Sequence, residues 1–253
     1  EPAKKCLFLD CDNTLWGGVV GEDGLSGLGL DPEQEPGLFF YRFHKAVIEL
    51  VERGIMVALI SKNNEADVLE VLDNHPGCLL ERKHLVAWRI NWNDKASNIR
   101  DLVTDLNVGM DSVVFVDDSP QECELVRQLL PEVVVLPVPD QLQDYGRMLD
   151  RSGLFERLAS SDEDRRRTKM YQDESRRRQS QTAYSDLADY LRSLDTVATV
   201  RRMSLADQER VAQLTQKTNQ FNLTTRRYSR EDVAAIAQAE GCAVFVVSVK
   251  DRF

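Results

Sequence analysis

The stretch Cys6-Leu7-Phe8-Leu9-Asp10-Cys11-Asp12-Asn13-Thr14 is an apolar run of strand length that passes directly into two aspartates one residue apart. A short, wholly apolar run suits a strand buried on both faces, as in a parallel sheet, and its carboxyl end is where open α/β sheets bind ligands. Residues i and i+2 on a strand point the same way, so Asp10 and Asp12 are expected on one side. Two carboxylates that close repel each other unless a divalent cation or a proton lies between them.

The pattern repeats outward from this strand. Apolar runs recur at Ile55–Ile60, Leu85–Ile90, Val113–Val116 and Val133–Val138, and stretches with helical spacing of apolar positions separate them at Phe39–Arg53, Glu65–Asn74, Lys95–Leu106 and Pro120–Leu130. This alternation predicts a doubly wound parallel sheet covered by helices. The second run ends in Ser61-Lys62-Asn63-Asn64, offering a hydroxyl, an amide and a helix N-terminus to an anion; the fourth ends in Asp117-Asp118-Ser119; Lys95 opens the helix between them. Taken singly, Asp117-Asp118 reads equally well as an acidic turn, and Lys95 as a surface lysine. Together and in order they form a coherent phosphoryl-transfer site, in which cationic groups offset phosphate charge and a carboxylate acts as nucleophile.

At these residues the sequence resembles the haloacid-dehalogenase superfamily, whose four motifs are matched by Asp10/Asp12, Ser61, Lys95 and Asp117/Asp118. The resemblance implies a Mg²⁺ site. Asp10 would be nucleophile or metal ligand, and Asp12 the acid/base, which also lends its backbone carbonyl to the metal. Asp118 would be the direct acidic ligand, with Asp117 beside it or sharing the ion, while Ser61 and Lys95 hold phosphate with Lys62 and Asn63 alongside.

Longer strings, Leu9 to Gly24, Ala87-Trp88-Arg89-Ile90-Asn91-Trp92-Asn93-Asp94-Lys95 and Thr215 to Tyr228, are similar to the FkbH-like proteins of polyketide pathways. That resemblance implies loading of a glyceryl unit from 1,3-bisphosphoglycerate onto the phosphopantetheine arm of an acyl carrier protein, with dephosphorylation, within or beside a larger polyketide synthase. Cys11 would then be the acyl nucleophile, forming a thioester. Against this, cysteine is also a small hydrophobe, and strand alternation turns Cys11 away from Asp10. Arg89, at the end of the third strand, is a candidate for reading the carboxylate or phosphate end of a three-carbon substrate. The alternatives are a simple small-molecule phosphatase using Asp10, and a non-catalytic carrier-protein docking domain. Trp88 and Trp92 read as packing residues, and His44, His75 and His84 have no ligand spacing.

Glycines at 17, 18, 21 and 24 predict a short flap after the first strand, a minimal cap, or else a plain turn. The first 149 residues thus read as the catalytic domain and residues 150–195 as a helical linker. In the linker, the arginine triplets at 165–167 and 176–178 are solvated faces or a docking site for an acidic partner. Residues 196–253, with strand-like Thr196–Arg201 and Cys242–Val249 around helices at Ser204–Thr218 and Ser229–Ala239, resemble the opening of a Gcn5-related acyltransferase-like domain without its closing strands.

Composition limits the function classes. Residues 1–150 hold 13 Lys+Arg against 27 Asp+Glu, which disfavours nucleic acid as a partner; the remaining residues hold 19 against 15. No apolar run approaches the ~20 residues of a membrane span. Five cysteines without a C-x-x-C pair suit a reducing, cytoplasmic setting. A start at Glu1 and a stop directly after a strand-like run lead us to expect a piece of a longer protein.

Overall fold

The structure is a computed structural model that describes residues 4–156, 169–173, 177, 186–217 and 226–252. It divides into two compact units, residues 1–176 and 177–253.

In the first unit five strands, β1 (Cys6–Leu9), β2 (Met56–Ser61), β3 (Leu85–Ile90), β4 (Val113–Asp117) and β5 (Val134–Pro137), form one parallel sheet in the order β3-β2-β1-β4-β5. This is the doubly wound arrangement expected from the alternating pattern. Helices α1 (Val20–Gly27), α2 (Gly37–Glu52), α3 (Glu65–Asn74), α4 (Lys95–Leu106), α5 (Pro120–Leu129) and α6 (Tyr145–Ser152) belong to the same unit.

Strand alternation sorts the core into two layers. Leu7, Leu9, Val57, Leu59, Val114 and Val116 face one side, where they meet Phe43 and Val47 of α2, Val68 and Val71 of α3, and Tyr145 and Met148 of α6. Cys6, Phe8, Ala58, Ile60, Val113 and Phe115 face the other, against Ile99, Leu102 and Leu106 of α4 and Val126 of α5. Each β1 residue is fully buried, so a one-residue slip would exchange the two layers, and the register is strongly specified.

Two elements differ from the sequence reading. The flap after β1 contains α1, broken at Gly24 where φ is 64°, and its stem is closed by reciprocal backbone hydrogen bonds between Gly17 and Gly29. The expected boundary after residue 149 falls inside α6, whose Tyr145, Met148 and Leu149 are buried in the first core together with Phe155. A cut there would expose apolar area worth several kcal/mol, at ~25 cal/mol per Å².

In the second unit, β6 (Val197–Arg202) and β7 (Phe245–Lys250) pair antiparallel, joined through α8 (Gln208–Lys217) and α9 (Arg230–Gln238), and α7 (Leu187–Ser193) precedes them. The helix expected from Ser204 opens with a 3₁₀ turn at Leu205–Asp207, capped reciprocally by Ser204 and Asp207. Ser229 caps α9 as expected. Residues 165–167, most of the 176–178 triplet and the middle of the Thr215–Tyr228 string lie outside the described residues. Among the described residues no helix is long and apolar enough to cross a membrane.

Candidate active site

The strand order has a consequence for chemistry. The chain runs from β1 outward through β2 to β3, then returns to place β4 on the other side of β1, so the topological switch point lies between β1 and β4. Crevices of this kind form at the carboxyl ends of the two strands flanking the switch. Here those ends carry Asp10 and Asp117-Asp118, tied in register by Leu9 beside Val116 and by the Asp10 N–H donated to the Val116 carbonyl at 3.0 Å.

One carboxylate oxygen from each of Asp10, Asp117 and Asp118 lies within 4.8 Å of the others. Lys95 reaches into this cluster, with Nζ 2.9 Å from Asp10 Oδ2 and 2.6 Å from Asp117 Oδ2, and it is only 4% exposed. Its position follows from local sequence: the Asp94 side chain caps α4 by accepting the Ser97 N–H at 2.8 Å, which makes Lys95 the first helical residue, directly beneath the strand ends. Burial works against the Lys95 charge, but Asp10 and Asp117 more than offset it, and its pKa is raised. Asp117 and Asp118 are both raised, first by burial and then by the Asp10 charge, with Lys95 opposing.

Asp117 already has both oxygens engaged, Oδ2 by Lys95 and Oδ1 by the Ser119 N–H at 2.9 Å. Asp10 and Asp118 are therefore the residues that would hold a cation, with Asp117 anchoring the lysine. Hard carboxylate oxygens suit a hard divalent ion. The site fits one on a further count: the Thr14 hydroxyl is buried, has no well-formed hydrogen bond within the chain, and lies beside Asp118.

Asp12 is turned elsewhere. Its Oδ1 accepts from Trp16 Nε1 at 2.8 Å and from the Val20 N–H at 3.1 Å, and its Oδ2 from Asn63 Nδ2 at 2.8 Å. Burial raises its pKa while these three donors hold it down, and the net shift is upward. Its carboxylate is not among the converging oxygens, because the chain has left strand geometry after Leu9 and i,i+2 alternation no longer applies. Asn63, expected to contact phosphate, instead spends its amide on Asp12.

Ser61 is buried beside the Cys11 thiol, whose pKa it lowers against the larger effect of burial. Cys11 has no exposed surface and packs in the core layer of α2 and α3; burial and then the Asp10 charge push its thiol well above the ordinary range. Lys62 is bound to Glu122 of α5 at 2.6 Å and is not part of the acidic cluster. Arg89 is likewise outside the site: strand alternation directs it to the α4 face, where it pairs with Asp105 and donates to the Trp88 carbonyl. Asp105 lies ten residues beyond Lys95, about 15 Å along the helix. Trp92, read as a packing residue, is 70% exposed.

Residue types carry the acidic motifs, but three supporting groups have no local signal. Tyr145 of α6 donates to the Asn13 carbonyl at 2.8 Å across 132 positions, and packs edge-on against Phe40 and Phe43. His44, fully buried in α2, donates Nε2–H to the Leu15 carbonyl at 2.8 Å and accepts the Leu79 N–H at Nδ1, so it is a neutral structural clamp on the catalytic loop. Burial lowers its pKa to about 4. Trp16 carries no more signal than a flap residue would.

The family model described as NLI interacting factor-like phosphatase matches residues 5–133, just over half of the chain. The chain belongs to that family. Its phosphatase domain is of the haloacid-dehalogenase type, and the match ends at the strand that completes the sheet. Among solved structures it is similar to the N-terminal part of protein BF1531 from Bacteroides fragilis, which contains a phosphatase domain and was crystallised with Mg; identity is 41%, the TM-score 0.60, and 62% of this chain and 42% of that one are covered. This chain thus spans less than half the length of that relative. A haloacid-dehalogenase family enzyme from Bacteroides thetaiotaomicron, in complex with magnesium and inorganic phosphate, is similar at 12% identity and TM-score 0.37, over 54% of this chain and 94% of that one. No curated protein matches.

Proposed function

We propose that this chain is a Mg²⁺-dependent phosphohydrolase in which Asp10 is the nucleophile. The observation that carries the reading is the convergence of Asp10, Asp117 and Asp118 on the switch-point crevice with Lys95 buried among them. Mg²⁺ held by Asp10 and Asp118 would neutralise phosphate charge. Lys95 holds one Asp10 oxygen, orienting the carboxylate, and offers its remaining N–H to a phosphate oxygen. Asp10 attacks phosphorus to give an aspartyl-phosphate, and Asp12, two residues on, exchanges the proton with the leaving oxygen and then with water.

The test is phosphate release from p-nitrophenyl phosphate and acetyl phosphate with Mg²⁺, with EDTA, and with Asp10→Asn. Activity that survives EDTA or Asp10→Asn would remove the reading.

A finer reading concerns the substrate. The long strings shared with FkbH-like proteins, and a thiol placed one residue from Asp10, support glyceryl transfer from 1,3-bisphosphoglycerate through Cys11 to the pantetheine thiol of an acyl carrier protein, in a cytoplasmic polyketide loading system. The acyl-phosphate carbon would bond to Cys11 sulfur with departure of phosphate, and Asp10 would remove the remaining phosphate. Complete burial of Cys11 and its raised pKa set the condition for this reading, since the thiol must be uncovered before it can react. Intact-mass spectrometry with enzymatically generated 1,3-bisphosphoglycerate decides it: a glyceryl adduct lost in Cys11→Ala supports transfer, and phosphate release without any adduct leaves the phosphohydrolase alone. The docking-only alternative has less support, because it gives no reason for burying Lys95 between two carboxylates.

A further inference from the structure

The two oxygens of Asp12 are held unequally. Oδ1 accepts two hydrogen bonds, from the Trp16 indole at 2.8 Å and the Val20 backbone N–H at 3.1 Å, whereas Oδ2 accepts one, from the Asn63 amide at 2.8 Å. The Asn63 orientation is determined by its own Oδ1, which accepts the Asn64 N–H at 3.0 Å and so points Nδ2 at Asp12. Trp16 is fully buried in the core, so its ring cannot turn, and a buried indole N–H requires a partner. Val20 opens the flap helix, Trp16 lies at the root of the flap, and Asn63 belongs to the loop after β2. The carboxylate is therefore gripped by donors from two separate loops.

We infer that Trp16 and Asn63 are positioning residues: Trp16, together with the Val20 N–H, saturates Oδ1 of Asp12, while Asn63 fixes Oδ2 through one lone pair and leaves the other as the one site through which Asp12 exchanges its proton. The inference rests on the phosphohydrolase reading above and adds the atom and the residues that present it. In the first step the Asp10 oxygen bonds to phosphorus, the bond from phosphorus to the leaving oxygen breaks, and that oxygen keeps the electron pair and takes the proton from Oδ2. In the second, Oδ2 removes a proton from water as the water oxygen bonds to phosphorus and the Asp10–phosphorus bond breaks. The sum is phosphate ester plus water giving alcohol plus phosphate.

The test replaces Trp16 with β-(3-benzothienyl)alanine, which keeps the ring shape but substitutes sulfur for the N–H, with Asn63→Ala as a second variant. Each is compared with wild type on phenyl phosphate, whose leaving oxygen needs a proton, and on acetyl phosphate, whose leaving group does not. Misplacing an acid of this kind is expected to lower kcat/KM on phenyl phosphate by about 10- to 100-fold. On acetyl phosphate the change should stay within about threefold, since the general-acid contribution is absent there. Acid quench and mass spectrometry should show aspartyl-phosphate accumulating in the variants, and the Mg²⁺-induced rise in melting temperature should match wild type. Equal losses on both substrates would mean a structural role only, and unchanged kinetics would mean that Asp12 needs no such grip; either overturns the inference. A wild type inactive on both substrates would instead sink the phosphohydrolase reading, and the inference with it.

Discussion

Replacing Lys95 with methionine removes an ammonium and leaves the volume of the side chain nearly unchanged. The ammonium lies 2.9 Å from Asp10 Oδ2 and 2.6 Å from Asp117 Oδ2, and the three side chains are 5%, 8% and 0% exposed. At an effective dielectric of ~20 each contact has a gross Coulomb energy of roughly 6 kcal/mol, and desolvation of the charges cancels much of it. What remains after truncation is two buried carboxylates without their cation, beside a third at Asp118, and breaking a buried pair in this way costs about 3–5 kcal/mol. Urea unfolding followed by tryptophan fluorescence, to which the buried Trp16 contributes, should show that loss in EDTA. Mg²⁺ should then stabilise the variant more than the wild type, because without the ammonium the cluster has more uncompensated charge. At a hundredfold excess over Kd the gain is ~2.7 kcal/mol. Phosphate release should fall by about 10²- to 10³-fold, as when one electrostatic donor is lost. A variant within ~0.5 kcal/mol of wild type in EDTA, well below the cost of an uncompensated buried charge, would refute the reasoning, as would equal Mg²⁺ shifts in both proteins.

Three further outcomes follow from the geometry. His44 has a folded-state pKa of about 4 against 6.5 when unfolded, so the unfolded chain binds the extra proton and stability is lost as pH falls from above 6.5 toward 4. The loss by pH 4.5 is about 2.5 kcal/mol, and unfolding free energies of wild type and His44→Gln measured from pH 7.5 to 4.5 should diverge by that much; parallel curves would sink the assignment. Tyr145→Phe removes the hydroxyl that anchors the Asn13 carbonyl, and should cost about 1 kcal/mol in a thermal or urea melt while slowing phosphate release several-fold. Asp118→Asn should abolish the Mg²⁺-dependent rise in melting temperature yet leave the EDTA melting temperature no lower than wild type, since it removes a like charge from a crowded cluster.

The sheet and its acidic motifs are legible in sequence because a strand buried on both faces must be continuously apolar and must stop where it meets water. The apolar runs Cys6–Leu9, ending at Asp10, and Val113–Val116, ending at Asp117, state both facts in one line of residues. The N-cap at Asp94 is equally local, and it places Lys95 at the first turn of α4. Arg89 shows where local reading stops. It stands near a strand end close to Lys95 in sequence, yet alternation sends it to the α4 face and Asp105, and periodicity cannot say which face is which until the helices are packed. Asp12 fails for a different reason: strand geometry ends at Leu9, so its side chain is directed by whichever donors the neighbouring loops supply.

Sequence by itself determined the strands, the helices between them, and the chemical group that each strand end presents, because these depend on burial period and capping within a few residues. Tertiary structure alone decided that β4 lies beside β1, which brings Asp117 and Asp118 to Asp10 and leaves Lys95 as their buried counter-charge. It also decided that Trp16, Val20 and Asn63 share Asp12, and that Tyr145 and His44 clamp the loop between them. Strand order and side-chain convergence are set by long-range packing and by the energetic cost of leaving buried donors and charges unpaired, and neither is written in any local stretch of the chain.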